Sequence, residues 1–316
     1  MNVTLSGEAQ EVGAMVRDRV EREGGVDLLR GAVADPGRRD RIGEMLGELG
    51  IWDIDPAEGA TELEVAAEVC RVAGRFALPY PVVERLGRSG ADATALVSRR
   101  GNRVVPHLDL ALSWNGIDLE GARHRLQPRG SGLVLGTQLA PFGVEADAAP
   151  EEGDGRRAAA LLISLESWWL LGLLESAVED TARYTREREQ FGRPLAHFQS
   201  VAFQLADMSL EAVASAELAK YTLWVLACGA DADEALIEAL GLRVALQRAA
   251  GCVLRGAHQL HGAMGFTDEV DVSWLSRASQ AARRLPEDAH RTTGVLLEML
   301  ERVGYPQLGR TARRTP

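Results

Sequence analysis

The chain reads as a mainly α protein in three parts: an N-terminal helical domain over residues 1–90, a reduced middle β domain with a linker over 91–150, and a C-terminal antiparallel four-helix bundle over 151–316. Three observations predict this order. Apolar residues recur at steps of three and four before about Phe76 and again after Arg156; between Ala93 and Leu139 they contract to short runs split by turn residues; and Pro79 and Pro81 mark the first change.

In the first part Val12, Met15 and Val16, then Leu63, Ala66, Ala67, Val69, Cys70 and Ala73, keep helical spacing. Leu78-Pro79-Tyr80-Pro81 stops that pattern, because two prolines remove amide donors and push their predecessors toward extended backbone. The runs Leu108 to Trp114 and Leu133-Val-Leu-Gly-Thr137, with turn signals at Arg100-Gly-Asn, Asn115-Gly and Arg129-Gly-Ser, predict a small and mostly antiparallel sheet. Val144 to Gly155 is acidic and rich in Gly and Ala, and reads as an exposed linker. Beyond it Phe198, Val201, Ala202, Leu205, Met208 and Ala212 share one helical face, and another helix spans about Asp233 to His261. Helices of this length on short connections make a bundle, and the tail from Arg310 reads as frayed.

The net charge of -11 and pI near 5.2 argue against nucleic acid as the main partner, since phosphate binding draws on surplus Lys and Arg. Cys70, Cys228 and Cys252 lie in apolar helical patterns without C-x-x-C spacing, so they read as small core residues in a reducing cytoplasm rather than disulfides or zinc ligands. The longest apolar stretch, Ala158 to Leu174, is interrupted by Ser164, Glu166 and Ser167, and no basic region precedes an apolar run at the start. The expectation is a cytoplasmic protein with no export signal and no membrane span.

Two stretches could carry chemistry. In the first, Tyr184 to Gln199, Arg188, Gln190 and Phe191 precede a corner at Gly192-Arg-Pro194, so a guanidinium, an amide and an aromatic ring project where two helices meet. Such a trio suits a ligand with phosphates and a flat base; the plain alternative pairs Arg188 with a nearby Glu and buries Phe191. In the second, His258 to Thr267, Gln259 ends a long helix and Gly262 and Gly265 follow in the turn, where amides can face a pyrophosphate or simply cap the helix. His258 and His261 lack acidic or Cys companions at metal-ligand spacing, which leaves capping or polar packing and no metal site.

Together, Y-x-x-x-R-x-Q-F-G-x-P-L-x-x-F-Q from Tyr184 and Q-L-H-G-x-M-G-F from Gln259 resemble the carboxyl-terminal domain of the acyl-CoA dehydrogenase family. The helical, β, helical order extends the likeness over nearly the whole chain. The resemblance implies a flavoprotein that oxidises the Cα–Cβ bond of an acyl-CoA thioester, with FAD as cofactor and an electron-transfer flavoprotein as acceptor. It also implies that Arg188, Phe191, Gln199, Gln259, Gly262 and Gly265, with Gln190 beside them, reach across a subunit interface to the adenosine-diphosphate part of a partner's FAD.

Other parts of the family pattern are missing. The family's base follows the arginine that matches Arg277 by some ten residues, where this chain reads Gln280-Ala-Ala-Arg-Arg-Leu-Pro286-Glu287-Asp288. Pro286 is closest to the expected column, and Glu287 reads as a solvated residue in the first turn of a helix. A second base position aligns near Leu162, with Glu166 a turn later, which reads as paired or at an interface. The β region is about half the expected size, with Ser113-Trp114 or Gly136-Thr137 as its only candidate remnants of the flavin-contacting strands. No catalytic residue is therefore assigned.

The retained half of the cofactor site and the lost base are similar to the smaller subunit of actinobacterial heteromeric acyl-CoA dehydrogenases that act on steroid-derived CoA thioesters. That likeness, which Ala73-Gly-Arg-Phe-Ala-Leu-Pro79-Tyr-Pro81 shares, implies a larger acyl-CoA dehydrogenase homologue as partner in an α2β2 assembly. The alternatives are a self-sufficient homo-oligomeric dehydrogenase that uses Glu287 or Glu166, and a helical scaffold that has lost the cofactor.

Overall fold

The computed structural model describes residues 4–99, 103–129 and 141–304. The predicted run at Leu133, Gly136-Thr137, the turn at Arg100-Gly-Asn and the tail from Arg310 lie outside the described residues.

Five helices open the chain: α1 (Gly7–Arg22), α2 (Asp27–Ala34), α3 (Arg39–Glu48), α4 (Ala60–Arg75) and α5 (Val82–Leu86). Ser6 starts α1 by accepting the Ala9 N–H on its hydroxyl, which satisfies one of the amides left unpaired at a helix start. Pro79 and Pro81 separate α4 from α5 as expected.

A five-stranded sheet follows, built from β1 (Ala93–Val97), β2 (Val104–Pro106), β3 (Trp114–Asp118), β4 (Ala122–Pro128) and β5 (Gly143–Asp154) in the spatial order β1-β3-β4-β5-β2. Its pairs are antiparallel except β1 with β3, which runs parallel with Ala93 opposite Trp114. Three sequence expectations are corrected here. The supposed linker at Val144 to Gly155 is largely strand β5, which pairs with both β4 and β2; beyond Ala146 its side chains face solvent, so the ladder holds it without an apolar pattern to betray it. Leu108 to Leu112 is turn and bend, with the strand beginning only at Trp114. Asn115-Gly116 sits inside β3 rather than in a turn, because a side chain at Gly116 would press on Val97 and Leu126 at 3.0–3.1 Å.

The remaining chain is helical: α6 (Arg156–Glu187), a two-stranded hairpin of β6 (Glu189–Gln190) and β7 (Arg193–Pro194), then α7 (Gln199–Ala227), α8 (Ala232–His261), α9 (Asp271–Arg284) and α10 (Ala289–Val303). Both ends of α6 meet the matching ends of α8: Arg156 pairs with Asp233, and Tyr184 stacks on His261. The two helices therefore run parallel, and α7 returns antiparallel between them. α6 is long and apolar enough to cross a membrane, yet its Leu162, Ile163, Leu165, Trp168, Leu171, Leu173 and Leu174 are buried in the core of this chain. Of the three cysteines Cys70 is buried, whereas Cys252 is exposed on α8 and is no core residue.

The N-terminal helices join the bundle through α4 and α6. At their crossing Gly74 faces the backbone of Trp169 and Gly172 faces that of Arg71, so each helix lets the other's main chain touch it. Beside the crossing Arg71 binds Glu175 at 2.7 Å and Glu68 at 3.1 Å. The sheet is tied to the same body where the buried guanidinium of Arg39 grips both oxygens of Asp109 and lies over the Phe142 ring.

Candidate functional site

α6 ends at Arg188, whose backbone turns extended while its N–H still reaches the Tyr184 carbonyl at 2.8 Å. The hairpin after it has a two-residue tip, Phe191 (φ 53°) and Gly192 (φ 77°), with Gln190 paired to Arg193. Two positive φ values are what a primed hairpin turn requires; Gly192 adopts one freely, whereas Phe191 does so against its side chain. The ring held in this way is 91 % exposed. It is not in the core, and Arg188 has no carboxylate within ion-pair distance among the described residues, so the plain alternative fails for both. Behind the tip Phe198 meets Phe191 edge-on at 6.2 Å and carries the Arg193 guanidinium over its face at 4.1 Å.

The second stretch lies at the same end of the bundle. Gly262 caps α8 at φ 60°, its N–H on the Gln259 and His258 carbonyls, and a short 3-10 turn runs on to Phe266. Gly265 packs so closely against His258 and His261 that a β-carbon would lie 3.1 Å from His261 Cβ and 3.3 Å from His258 Cα. Phe266 stacks on His258 at 4.8 Å and is 74 % exposed. Burial shifts both histidines below the usual imidazole range, which favours their uncharged form. The described residues hold no group of three or more His, Cys, Asp or Glu placed to bind a metal.

What joins the two stretches is Tyr184, whose ring stacks on His261 at 4.3 Å. Arg188, Gln190 and Phe191 at the end of α6, Gln199 at the start of α7, and Gln259, Gly262 and Gly265 at the end of α8 therefore share one end of the bundle. Six of these seven residues are exposed and Gly265 is buried beneath them. The side chains of Gln190, Gln199 and Gln259 have no hydrogen-bond partner among the described residues. A free guanidinium, three free amides and a presented aromatic ring can bind phosphate oxygens and stack a base, but they include no group suited to take a proton from carbon.

The acids named as candidate bases lie elsewhere and are engaged. Glu166 forms an ion pair with the fully buried Arg243, whose guanidinium also donates to the Leu285 and Glu287 carbonyls. Burial pushes Arg243 down to about 10, so it stays charged at neutral pH. Glu287 is not solvated: its side chain is 14 % exposed, accepts from the Ser98 hydroxyl and pairs with Arg291 at 3.3 Å. Gln247 donates to its carbonyl at 3.0 Å, and the next residue, Asp288, caps α10.

Sequence reasoning missed Arg243 and Glu84. The only signal for Arg243 was a cation at a helical step from Leu236, Leu240 and Leu246, all of them core residues. Glu84, on α5, lines a cavity of about 110 Å³ with Leu78, Tyr80, Leu96, His107, Leu162 and Trp169. Burial pushes its carboxyl up to about 7, while burial, and then the charge of Arg39, push His107 down to about 3.

The sign of the Glu84 effect is fixed. Between its ordinary 4.5 and about 7 the unfolded chain has released a proton that the folded chain keeps, so stability is lost as pH rises through that window. His107 acts oppositely, giving up stability as pH falls from 6.5 toward about 3. Glu84→Gln is accordingly expected to match the parent near pH 4.5 and to exceed it by about 3 kcal/mol at pH 8, as read by urea denaturation at both pH values. An equal difference at the two pH values would exclude a raised Glu84.

Residues 165–285 match the family described as acyl-CoA dehydrogenase, C-terminal domain. Acyl-CoA dehydrogenase FadE28 of Mycobacterium tuberculosis is 40 % identical over 95 residues, 30 % of this chain and 27 % of that one. The 3-sulfinopropanoyl-CoA desulfinase of Paraburkholderia xenovorans is 33 % identical over 107 residues, 34 % of this chain and 26 % of its own. The chain thus spans about a quarter of the length of the curated relatives it matches. Among solved structures, a variant of the Tcur3481-Tcur3483 steroid ACAD superposes with a TM-score of 0.74 at 19 % identity, over 95 % of this chain and 99 % of that one. The ChsE4-ChsE5 complex from Mycobacterium tuberculosis gives 0.67 at 18 % identity over the whole of both chains. Butyryl-CoA dehydrogenase from Megasphaera elsdenii gives 0.69 at 14 % identity, over 95 % of this chain and 100 % of that one. Residues 165–285 are thus similar to the C-terminal domain of the acyl-CoA dehydrogenase family, within a chain that has the acyl-CoA dehydrogenase fold.

Proposed function

We propose that this chain is a subunit of a FAD-dependent acyl-CoA dehydrogenase and donates the adenosine-diphosphate half of the FAD site to a larger, catalytically complete partner. The observation that carries the reading is the gathering of Arg188, Gln190, Phe191, Gln199, Gln259, Gly262 and Gly265 at one open end of the bundle, while Glu166 and Glu287 are engaged elsewhere. The residues fit the group: Arg188 offers paired N–H donors to a diphosphate, Phe191 a face for the adenine, and Gln259 with the turn at Gly262 further donors. FAD, when bound, is the hydride acceptor in α,β-dehydrogenation of an acyl-CoA thioester.

This chain's part is to bind and orient. Its guanidinium neutralises phosphate charge, its ring fixes the base, and the base that takes the α-proton comes from the partner. An apolar stripe supports such a partner: Phe203, Leu210 and Val213, 60–68 % exposed, lie along one face of α7, the helix that begins beside the hairpin. An α2β2 assembly, a steroid-derived acyl group and an electron-transfer flavoprotein as acceptor complete the proposal. The steroid assignment draws support from the superposition on the Tcur3481-Tcur3483 steroid ACAD, and the heteromeric one from that on the ChsE4-ChsE5 complex.

Expressed alone the chain is expected to be colourless, and co-expressed with its partner, yellow. In the co-purified complex, Arg188→Ala with Gln259→Ala should weaken flavin retention by about tenfold or more, measured as flavin absorbance per complex after gel filtration. Unchanged flavin content in a complex that still assembles removes the cofactor role assigned here.

A further inference from the structure

The groove between α8 and α9 gathers four guanidiniums that this chain leaves without a counter-charge. Arg248, Gly251, Cys252 and Arg255 follow steps of three and four, so they share one face of α8, and all but Gly251 are exposed. α9 runs back along α8, since its start follows the turn at Gly262 and its end meets Gln247, which donates to the Arg283 carbonyl at 3.2 Å. Arg283 and Arg284 therefore stand beside the level of Arg248. A helical side chain leans toward the N-terminus of its helix, which carries Arg255 and Arg283 toward the level of Gly251 from opposite directions. There the groove has an open floor: a β-carbon at Gly251 would meet nothing within 4 Å.

None of the four arginines has an ion pair or a side-chain hydrogen bond among the described residues. A shortage of acids is not the reason, because the chain has 46 Asp and Glu to 35 Lys and Arg. Arg283 is also half-buried; burial first, then the charges of Arg284 and Arg255, hold its guanidinium below the usual range, and no carboxylate offsets them. A cation withdrawn from water and crowded by like charges is costly unless an anion joins it. Asp207 and Glu211 on α7 bear on Cys252, at the other flank of the same α8 face, and pair with none of the four.

We propose that this groove binds a chain of linked phosphates, free or carried on a nucleoside, with Arg248, Arg255, Arg283 and Arg284 holding the phosphate oxygens and Gly251 giving them room. The chemistry follows from charge density. Arg248 and Arg255 stand about 10 Å apart along α8, further than one oxyanion spans. Over that length an extended acidic peptide, at about 3.4 Å per residue with alternate side chains on one face, offers about two carboxylates to the whole cluster. Linked phosphates put a charge on every unit, and their oxygens accept the paired N–H groups of a guanidinium. None of these arginines belongs to the set assigned to FAD, so the inference does not rest on the cofactor reading; Gln259, which does, lies one turn beyond Arg255.

Calorimetric titration of the full chain at neutral pH and low ionic strength, with tripolyphosphate, magnesium-free ATP, inorganic phosphate and hexaglutamate in turn, provides the test. Tripolyphosphate is expected to bind, and phosphate and hexaglutamate to bind at least tenfold more weakly. ATP bound more tightly than tripolyphosphate identifies a nucleoside carrier, and ATP bound no more tightly identifies the phosphates alone. Arg255→Gln with Arg283→Gln, which relieves repulsion and should melt no lower than the parent, is expected to weaken tripolyphosphate at least tenfold, whereas Arg41→Gln on α3 should leave it unchanged. Gly251→Leu keeps every guanidinium and fills the floor; it should weaken tripolyphosphate about tenfold, with thermal melting confirming that it folds. No heat from tripolyphosphate with the parent, equal affinity for phosphate or hexaglutamate, undiminished binding in either groove variant, or an equal loss in Arg41→Gln overturns the proposal. Arg188→Ala with Gln259→Ala is expected to keep tripolyphosphate binding, and Arg255→Gln with Arg283→Gln to keep the flavin of the assembled complex, which separates failure here from failure of the cofactor role.

Discussion

Gly74→Ala and Gly172→Ala are each expected to destabilise the chain by at least about 3 kcal/mol, the upper end of what overpacking usually costs. A β-carbon at Gly74 would lie 1.8 Å from the Trp169 carbonyl oxygen, and one at Gly172 would lie 1.8 Å from that of Arg71. These are backbone atoms inside helices, so neither can swing aside as a side-chain end would. Relief requires α4 to move off α6, which would also pull Arg71 from Glu175 and loosen the core between Val72, Trp168 and Leu171. Gly241→Ala and Gly251→Ala provide the control, since nothing lies within 4 Å of either added carbon. They should gain about 0.5–1 kcal/mol from helix propensity alone. Denaturant midpoints of the four variants measure the contrast, and a Gly74→Ala chain as stable as its parent would show that the helices do not cross as described.

Arg243→Ala should cost about 3–5 kcal/mol, because it removes one partner of a buried ion pair and strands Glu166. It also takes the donor from the Leu285 and Glu287 carbonyls, which join α9 to α10. Replacing both partners, Arg243→Met with Glu166→Leu, is expected to recover most of that loss, since an apolar pair of similar volume has no charge to desolvate. The double-mutant cycle reads the coupling directly, and a double variant less stable than Arg243→Ala alone would refute it. The same pair bears on chemistry: a carboxylate held by a guanidinium is a poorer base than a free one, and Glu166 is so held.

Much of the candidate site was legible in sequence because its recognition is local. Arg188, Gln190, Phe191 and Gln199 occupy one short stretch, and a turn that needs Gly192 reports itself. Gln259, Gly262 and Gly265 do the same at the end of α8. The sheet was the least legible element, since β5 is held by ladder hydrogen bonds along a solvent-facing run of Ala, Glu and Gly that carries no strand pattern. The exposure of Phe191 was also hidden, because an aromatic ring has the same hydropathy in a core and on a hairpin tip.

By itself the sequence determined the order of helical, sheet and bundle segments and the residue types of the two cofactor-like stretches, because periodicity, proline and glycine act within a few residues of where they stand. The tertiary structure alone decided that Tyr184 on His261 brings those stretches to one end of the bundle, that Arg243 engages Glu166, and that Glu84 faces a cavity. Those contacts join helices many residues apart, and charge, burial and pairing belong to the neighbours that folding supplies.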